Sequence, residues 1–174
     1  CDECGSSDAN ARYTDGHTHC FSCGHHTPPE GEAPAAPKKK RLKFSPVTGD
    51  YMDLRKRRIS EETCRKFGYF IAQHEEFGPV QVANYYDADR TLVAQHIRTA
   101  DKDFRWLGAE VKTGLFGQTA FPSGGKRVVV TEGELDAMSL SQAMGNSWPV
   151  VSIPNGTKGA KKALLRSLEW LESF

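Results

Sequence analysis

The pattern Cys1-x-x-Cys4, fifteen residues, then Cys20-x-x-Cys23 leaves this chain few folding options at its start. A segment of about 26 residues is too short to bury a useful core, so its folding energy must come from a metal ion or from disulfides. Each Cys-x-x-Cys turn presents two thiolates to one tetrahedral ion, and the spacing matches a four-cysteine zinc ribbon. Gly5 and Gly24 follow the pairs and give the backbone the angles such knuckles use. A disulfide or redox pair is the competing reading. No secretion signal accompanies the cysteines, which favours metal. His17, His19, His25 and His26 are alternative ligands that four cysteines make unnecessary. The run from Ala11 to Phe21 reads as a hairpin turning at Asp15-Gly16. Its Arg12, Tyr13, His17, His19 and Phe21 combine cations with aromatics, a composition suited to unpaired bases. Phe21 is expected in the module's small core, whereas His17 is read as a functional contact.

Residues 27–50 read as a flexible, basic linker. The stretch is rich in Pro, Ala and Glu and ends in Lys38-Lys39-Lys40-Arg41-Leu42-Lys43. That cluster is a loose phosphate contact, a nuclear signal or a solvated tail. Residues 51–125 read as a mixed α and β subdomain. Ser60 caps a helix that carries Glu61 and Glu62 in its first turn and stops at Gly68, with Cys64 packed inside. Pro79–Tyr86 and Thr91–Arg98 flank a turn and form a hairpin. Strand alternation puts Leu92, Ala94, His96 and Arg98 on one face. His96, Arg98, Lys102 and Arg105 are therefore candidates for a surface that takes template or nucleotide phosphates, or else for a salt-bridged sheet face.

Residues 126–174 centre on Val128-Val129-Val130-Thr131-Glu132-Gly133-Glu134-Leu135-Asp136. Three valines with no polar alternation predict a parallel strand buried on both faces. The carboxylates then fall past the strand's C-terminal end, where open α/β sheets place ligands. Three negative charges within five residues repel one another unless a cation sits among them, and magnesium is the hard ion that oxygen ligands favour. A solvated acidic helix start is the alternative. Ala137, Leu140, Ser141 and Met144 recur at helical spacing, Gly145 ends that helix, and Trp148–Ile153 is the next strand of a βαβ unit. The turn Pro154–Gly159 is a plausible anion cradle, leading into one final helix with Leu164, Leu168 and Leu171 on one face. No dinucleotide or motor-type ATP motif is present.

Charge is balanced, 23 Lys+Arg against 22 Asp+Glu, so net charge excludes no partner class. No apolar run approaches the roughly 20 residues of a membrane span. The expectation is therefore no membrane partner and a cytoplasmic protein, in the host cell if the chain is viral.

Taken together, the cysteine pairs, Asp15-Gly16-His17-Thr18, Arg58-Ile59-Ser60 with Glu62-Thr63-Cys64, Phe67-Gly68-Tyr69, Leu115-Phe116-Gly117, Thr131-Glu132-Gly133-Glu134 and Pro149-Val150-Val151-Ser152 resemble the N-terminal primase half of bacteriophage primase–helicases. The resemblance covers almost the whole chain. It implies a zinc ribbon that reads template, a linker, and an incomplete topoisomerase–primase (Toprim) α/β sheet. It further implies DNA primase activity, a nucleotidyltransferase reaction that joins ribonucleoside triphosphates into short RNA primers on single-stranded DNA. Glu132, Glu134 and Asp136 match the family's catalytic carboxylates, with Glu132 on magnesium. His17, His96, Arg98, Lys102 and Arg105 become template or nucleotide contacts, and Cys1, Cys4, Cys20 and Cys23 zinc ligands. A replicative helicase, fused or separate, and a DNA polymerase are the implied partners. His96 stands where the family tends to carry lysine, and Pro154-Asn155-Gly156-Thr157 replaces a Gly-His-Gly-type turn. Because the chain begins at Cys1 and stops at Phe174 before an Asp-x-Asp motif, an excised piece that is inactive or weakly active alone is expected. The alternatives are a non-catalytic single-stranded-DNA-binding zinc module with a Toprim remnant, or another Toprim enzyme such as a topoisomerase or nuclease.

Overall fold

Asp15-Gly16 turns the chain as its sequence demands. In the computed structural model, which describes residues 1–28 and 44–174, strands β1 (Asn10–Arg12) and β2 (Thr18–Cys20) pair antiparallel with Arg12 opposite Thr18. Strand β3 (His26–Thr27) pairs on the other side of β2. The Tyr13 N–H donates to the His17 carbonyl at 2.9 Å and closes the hairpin. Among the described residues of this unit only Cys20 is buried. Phe21, expected in the module core, is instead 70% exposed. So short a segment has no layer with which to cover a ring, and the sulfurs take the centre. The basic cluster Lys38–Lys43 lies outside the described residues.

The chain divides into two compact units, 1–42 and 43–174. In the second, residues at the end of the expected linker are packed. The Val47 N–H donates to Gln95 Oε1 at 2.7 Å, and Asp50 bridges to Ile71. Helix α1 (Glu61–Phe67) has Ser60 as its N-cap, accepting from the Thr63 N–H, and Gly68 as its left-handed C-cap. Cys64 is fully buried, and burial pushes its thiol pKa up to about 11, so it packs as an inert apolar group. The four-stranded antiparallel sheet runs β4 (Tyr69–His74), β5 (Gly78–Tyr86), β6 (Leu92–Thr99), β7 (Phe104–Gly108) in that spatial order. The β5–β6 hairpin is the expected one. Strands β4 and β7 flank it.

Strand β8 (Val129–Thr131), helix α2 (Glu134–Ala143) and strand β9 (Val150–Ser152) form the βαβ unit, with β8 and β9 parallel. The valine strand is not buried on both faces, as Val130 is 38% exposed. Among the described residues β8 has one hydrogen-bonded neighbour, β9, and it is β9 that is fully enclosed. The expected final helix is two, α3 (Gly156–Arg166) and α4 (Leu168–Leu171). Between them the buried Ser167 donates its hydroxyl to Gln118 Oε1 at 2.8 Å, and Leu168 turns out to 44% exposure.

Polar side chains lock α1 to α2. Gln142 Oε1 accepts from the Ser60 N–H (2.7 Å) and the Thr63 hydroxyl (3.0 Å), while Asn146 Nδ2 donates to the same hydroxyl. Phe116 bonds Ser152 in both directions and carries the chain under the Phe67 ring. The next residue, Gly117, has φ 81°, and a Cβ there would fall 2.6 Å from Phe67 Cε1. Gly117→Ala is therefore expected to cost about 1–3 kcal/mol, combining left-handed strain with a clash against a packed ring. A lowered urea midpoint at unchanged slope would show it.

Candidate functional site

The four cysteine sulfurs lie within 4.8 Å of one another. Cys1 and Cys23 are 3.8 Å apart and Cys4 and Cys20 are 3.7 Å apart. A tetrahedral zinc ion with Zn–S bonds of about 2.3 Å needs sulfur–sulfur edges of about 3.8 Å, so the sulfurs fit that ion. The Cys23 backbone N–H, followed by that of Ser22, favours the Cys20 thiolate and lowers its pKa to about 7. His17 stands apart from the sulfurs. Its Nδ1 is 2.5 Å from Asp15 Oδ1, and its ring stacks on Tyr13 at 4.0 Å and 10°.

The carboxylates after β8 separate by role. Glu134, on the first turn of α2, turns inward against the four-stranded sheet. Its Oε1 is 2.6 Å from His96 Nδ1 on β6 and accepts the Tyr85 hydroxyl of β5 at 2.8 Å. Burial alone would raise its pKa. Hydrogen bonds and charge from His96, its own backbone N–H and the Tyr85 hydroxyl outweigh that, and the carboxyl is held below its ordinary value. Burial first, and the Glu134 charge second, push the Tyr85 phenol well above its ordinary value. Glu132 and Asp136 are exposed. Among the described residues only the four cysteines form a group able to hold a metal, so the three carboxylates do not converge as a ligand set.

The predicted basic surface also divides. Register places His96 opposite Trp106, Arg98 opposite Phe104 and Ile97 opposite Arg105. Alternation therefore sends His96 and Arg98 toward α2 and Arg105 to the opposite face, where its guanidinium lies 5.1 Å over the Phe77 ring. Lys102 is exposed in the β6–β7 turn with φ 66°. His96 is almost closed off: its side chain is 11% exposed, bonded to Glu134 and stacked on Trp106 at 4.4 Å.

Sequence reasoning missed four features of this region. A cavity of about 710 Å³ lies where Arg98 and Leu135 meet Arg55, Lys56 and Arg57, with Asp53 and Glu61 on its wall. Its sequence signal was the basic run just before α1. Asn155 holds the loop before α3, accepting from Trp106 Nε1 at 3.0 Å and donating to Glu110. The predicted anion cradle is already faced by an acid, because a Cβ on Gly156 (φ 59°) would lie 3.3 Å from Glu132 Oε1. Finally Phe104, on the α2-facing side of β7, is 55% exposed.

Comparison with known proteins fits this geometry. Residues 49–108 match the family described as bacteriophage T7 DNA helicase/primase, N-terminal a+b fold. A crystal structure of the primase fragment of the bacteriophage T7 primase–helicase superposes with a TM-score of 0.70 at 36% identity, covering 100% of this chain and 74% of that one. The chain belongs to the bacteriophage primase–helicase family. It corresponds to the N-terminal primase part. The DNA helicase/primase of Enterobacteria phage T3 is 38% identical over 186 aligned residues, which take in 100% of this chain. The chain spans about a third of that relative's length (32%). A second structure, of bacteriophage T7 lagging-strand DNA polymerase interacting with primase domains bound to an RNA/DNA hybrid and dTTP, matches with a TM-score of 0.66 and 38% identity, covering 100% of this chain and 74% of that one. No helix of the described residues is long and apolar enough to cross a membrane.

Two measurements follow from the site. Removing zinc with a chelator should abolish the secondary structure of residues 1–28 and leave the melting of the unit from 44 onward unchanged. A core that melts with the knuckle would contradict this. Folding holds the Glu134 pKa below its ordinary 4.5. Its contribution to stability is thus fully present above that value and is lost as pH falls through the lowered folded value. Between pH 6 and pH 3 the wild type should lose more stability than Glu134→Gln in urea titrations. Parallel curves would disprove the assignment.

Proposed function

We propose that this chain is the primer-synthesising part of a phage replication protein, joining ribonucleoside triphosphates into short RNA on a single-stranded DNA template. The observation that carries this reading is the meeting of two features at one place. The acidic loop Glu132–Asp136 begins α2, and Leu135 of that turn lines the cavity whose other wall is Arg55, Lys56, Arg57 and Arg98. Cations there attract the phosphates of template and triphosphate, while Glu132, three residues before Leu135, is an exposed oxygen donor. Magnesium held through Glu132 would supply charge neutralisation on the leaving pyrophosphate and alignment of the attacking 3′-hydroxyl. In this reading Asp136 is a second exposed carboxylate of the same loop, and Glu134 positions the loop from behind. Lys102 and Arg105 extend the positive field along the two faces of the sheet edge, and the zinc ribbon reads template with His17, oriented by Asp15.

The relatives supply the partners. The T7 primase domains are described with an RNA/DNA hybrid, dTTP and a lagging-strand polymerase. We extend that setting, with a replicative helicase and the host cytoplasm, to this chain.

A second reading is favoured by one observation. Because Glu132, Glu134 and Asp136 do not form a ligand group among the described residues, the chain is alternatively a non-catalytic, single-stranded-DNA-binding module. Incubating the protein with single-stranded template, ribonucleotides and magnesium separates the two. The proposal expects short RNA, and a fall of about a hundredfold or more with Glu132→Gln, the effect of removing several kcal/mol of metal-centred stabilisation. RNA synthesis that survives Glu132→Gln would refute the catalytic assignment. Template binding without any RNA would establish the second reading.

A further inference from the structure

Phe104 lies outside the apolar clusters, yet it is fixed in place. Its ring stacks on His96 at 5.3 Å and 25°, His96 stacks on Trp106 at 4.4 Å and 16°, and Trp106 meets the buried Tyr85 at 4.8 Å. The result is an aromatic column rooted in the core, where the Tyr85 hydroxyl and His96 are both bonded to Glu134. Phe104 is its outer end, 55% exposed. The Arg98 guanidinium lies over that ring, 5.5 Å from its centroid. Arg98 also lines the large cation-walled cavity, and Phe104 shares a small cleft with Arg98, Glu134 and Leu135. An ordered, exposed aromatic ring with a guanidinium over it and a basic cavity next to it is an arrangement that stacks a base and pairs its phosphate. Because the column is already ordered, little conformational entropy is lost when a ring lands on it.

We propose that the solvent-exposed part of the Phe104 ring is a stacking platform for one nucleobase, with Arg98 taking the attached phosphate. This rests on the functional reading above and adds to it the residue that grips the base. The base belongs either to the unpaired template strand or to a bound ribonucleoside triphosphate, and the chemistry of recognition is the same for both.

The test uses the intact zinc-loaded chain and two separate binding titrations, one with a fluorescein-labelled single-stranded oligodeoxynucleotide and one with a fluorescent ribonucleoside triphosphate. Phe104→Leu keeps an apolar side chain and removes the π face, while Phe104→Trp keeps and enlarges it. The expected result is affinity about tenfold or more weaker for Phe104→Leu and retained for Phe104→Trp, with quenching of the introduced indole when ligand is added. A loss confined to the oligonucleotide assigns the platform to template, and a loss confined to the triphosphate assigns it to the incoming nucleotide. Thermal melts verify folding, and if the leucine variant does not fold, the tryptophan variant decides. A folded Phe104→Trp that binds tenfold more weakly, or shows no quenching, overturns the proposal. So does wild-type affinity in a folded Phe104→Leu. Failure of the wild type to bind either ligand would overturn the functional reading and the platform with it, whereas binding indifferent to Phe104 removes the platform alone.

Discussion

A buried carboxylate sets the arrangement of this molecule. Glu134 is 15% exposed and bonded to an imidazole and a phenol from two neighbouring strands. Taking a charge out of water is costly, and the arrangement persists only while its partners remain. Glu134 belongs to the first turn of α2, and His96 and Tyr85 to β6 and β5, so satisfying the carboxylate fixes the βαβ unit against the sheet. That contact brings the first turn of α2, through Glu134 and Leu135, beside Arg98. Losing one partner would strand a buried polar group, which costs more than the bond itself contributes.

The same anchor explains how the sheet's aromatic side chains are used. His96 cannot turn toward solvent, because its ring is held between Glu134, Trp106 and Phe104. Trp106 in turn reaches Asn155, and Asn155 reaches Glu110, so the loop that faces Glu132 is held from the strand side. The groups left exposed around this frame are Phe104, Lys102, Arg105, Glu132 and Asp136. Rigid groups lie inside, and groups able to meet a ligand lie at the edge.

Much of this was legible in the chain because local rules were left undisturbed. Ser60 and Gly68 delimit α1 by capping chemistry that needs no tertiary information. Asp15-Gly16 makes its turn, the cysteine spacing brings four sulfurs together, and the βαβ order follows from the two apolar runs. What escaped was tertiary. A Val-Val-Val run does not show how many strands will flank it, so the run alone cannot reveal that Val130 is 38% exposed. Glu132 and Glu134 are two residues apart and look alike, but strand end and helix start point them in different directions. Alternation along β7 separates Arg105 from Arg98, and β7 itself was not read as a strand. Large rings such as Phe21 are normally interior, but a knuckle built on sulfur has no interior to offer.

Helix α1 has seven residues, fewer than an isolated helix needs in water. Its N-terminal groups are completed by Gln142, which lies 82 residues beyond Ser60 along the chain. Such a helix has little reason to persist before α2 docks on it. Closing so long a loop must precede the reward, which makes the assembly of this unit a high-contact-order, all-or-none event and its folding correspondingly slow. A growing chain would hold the basic run at Arg55–Arg58 without its neighbouring helix until the residues around Gln142 had emerged.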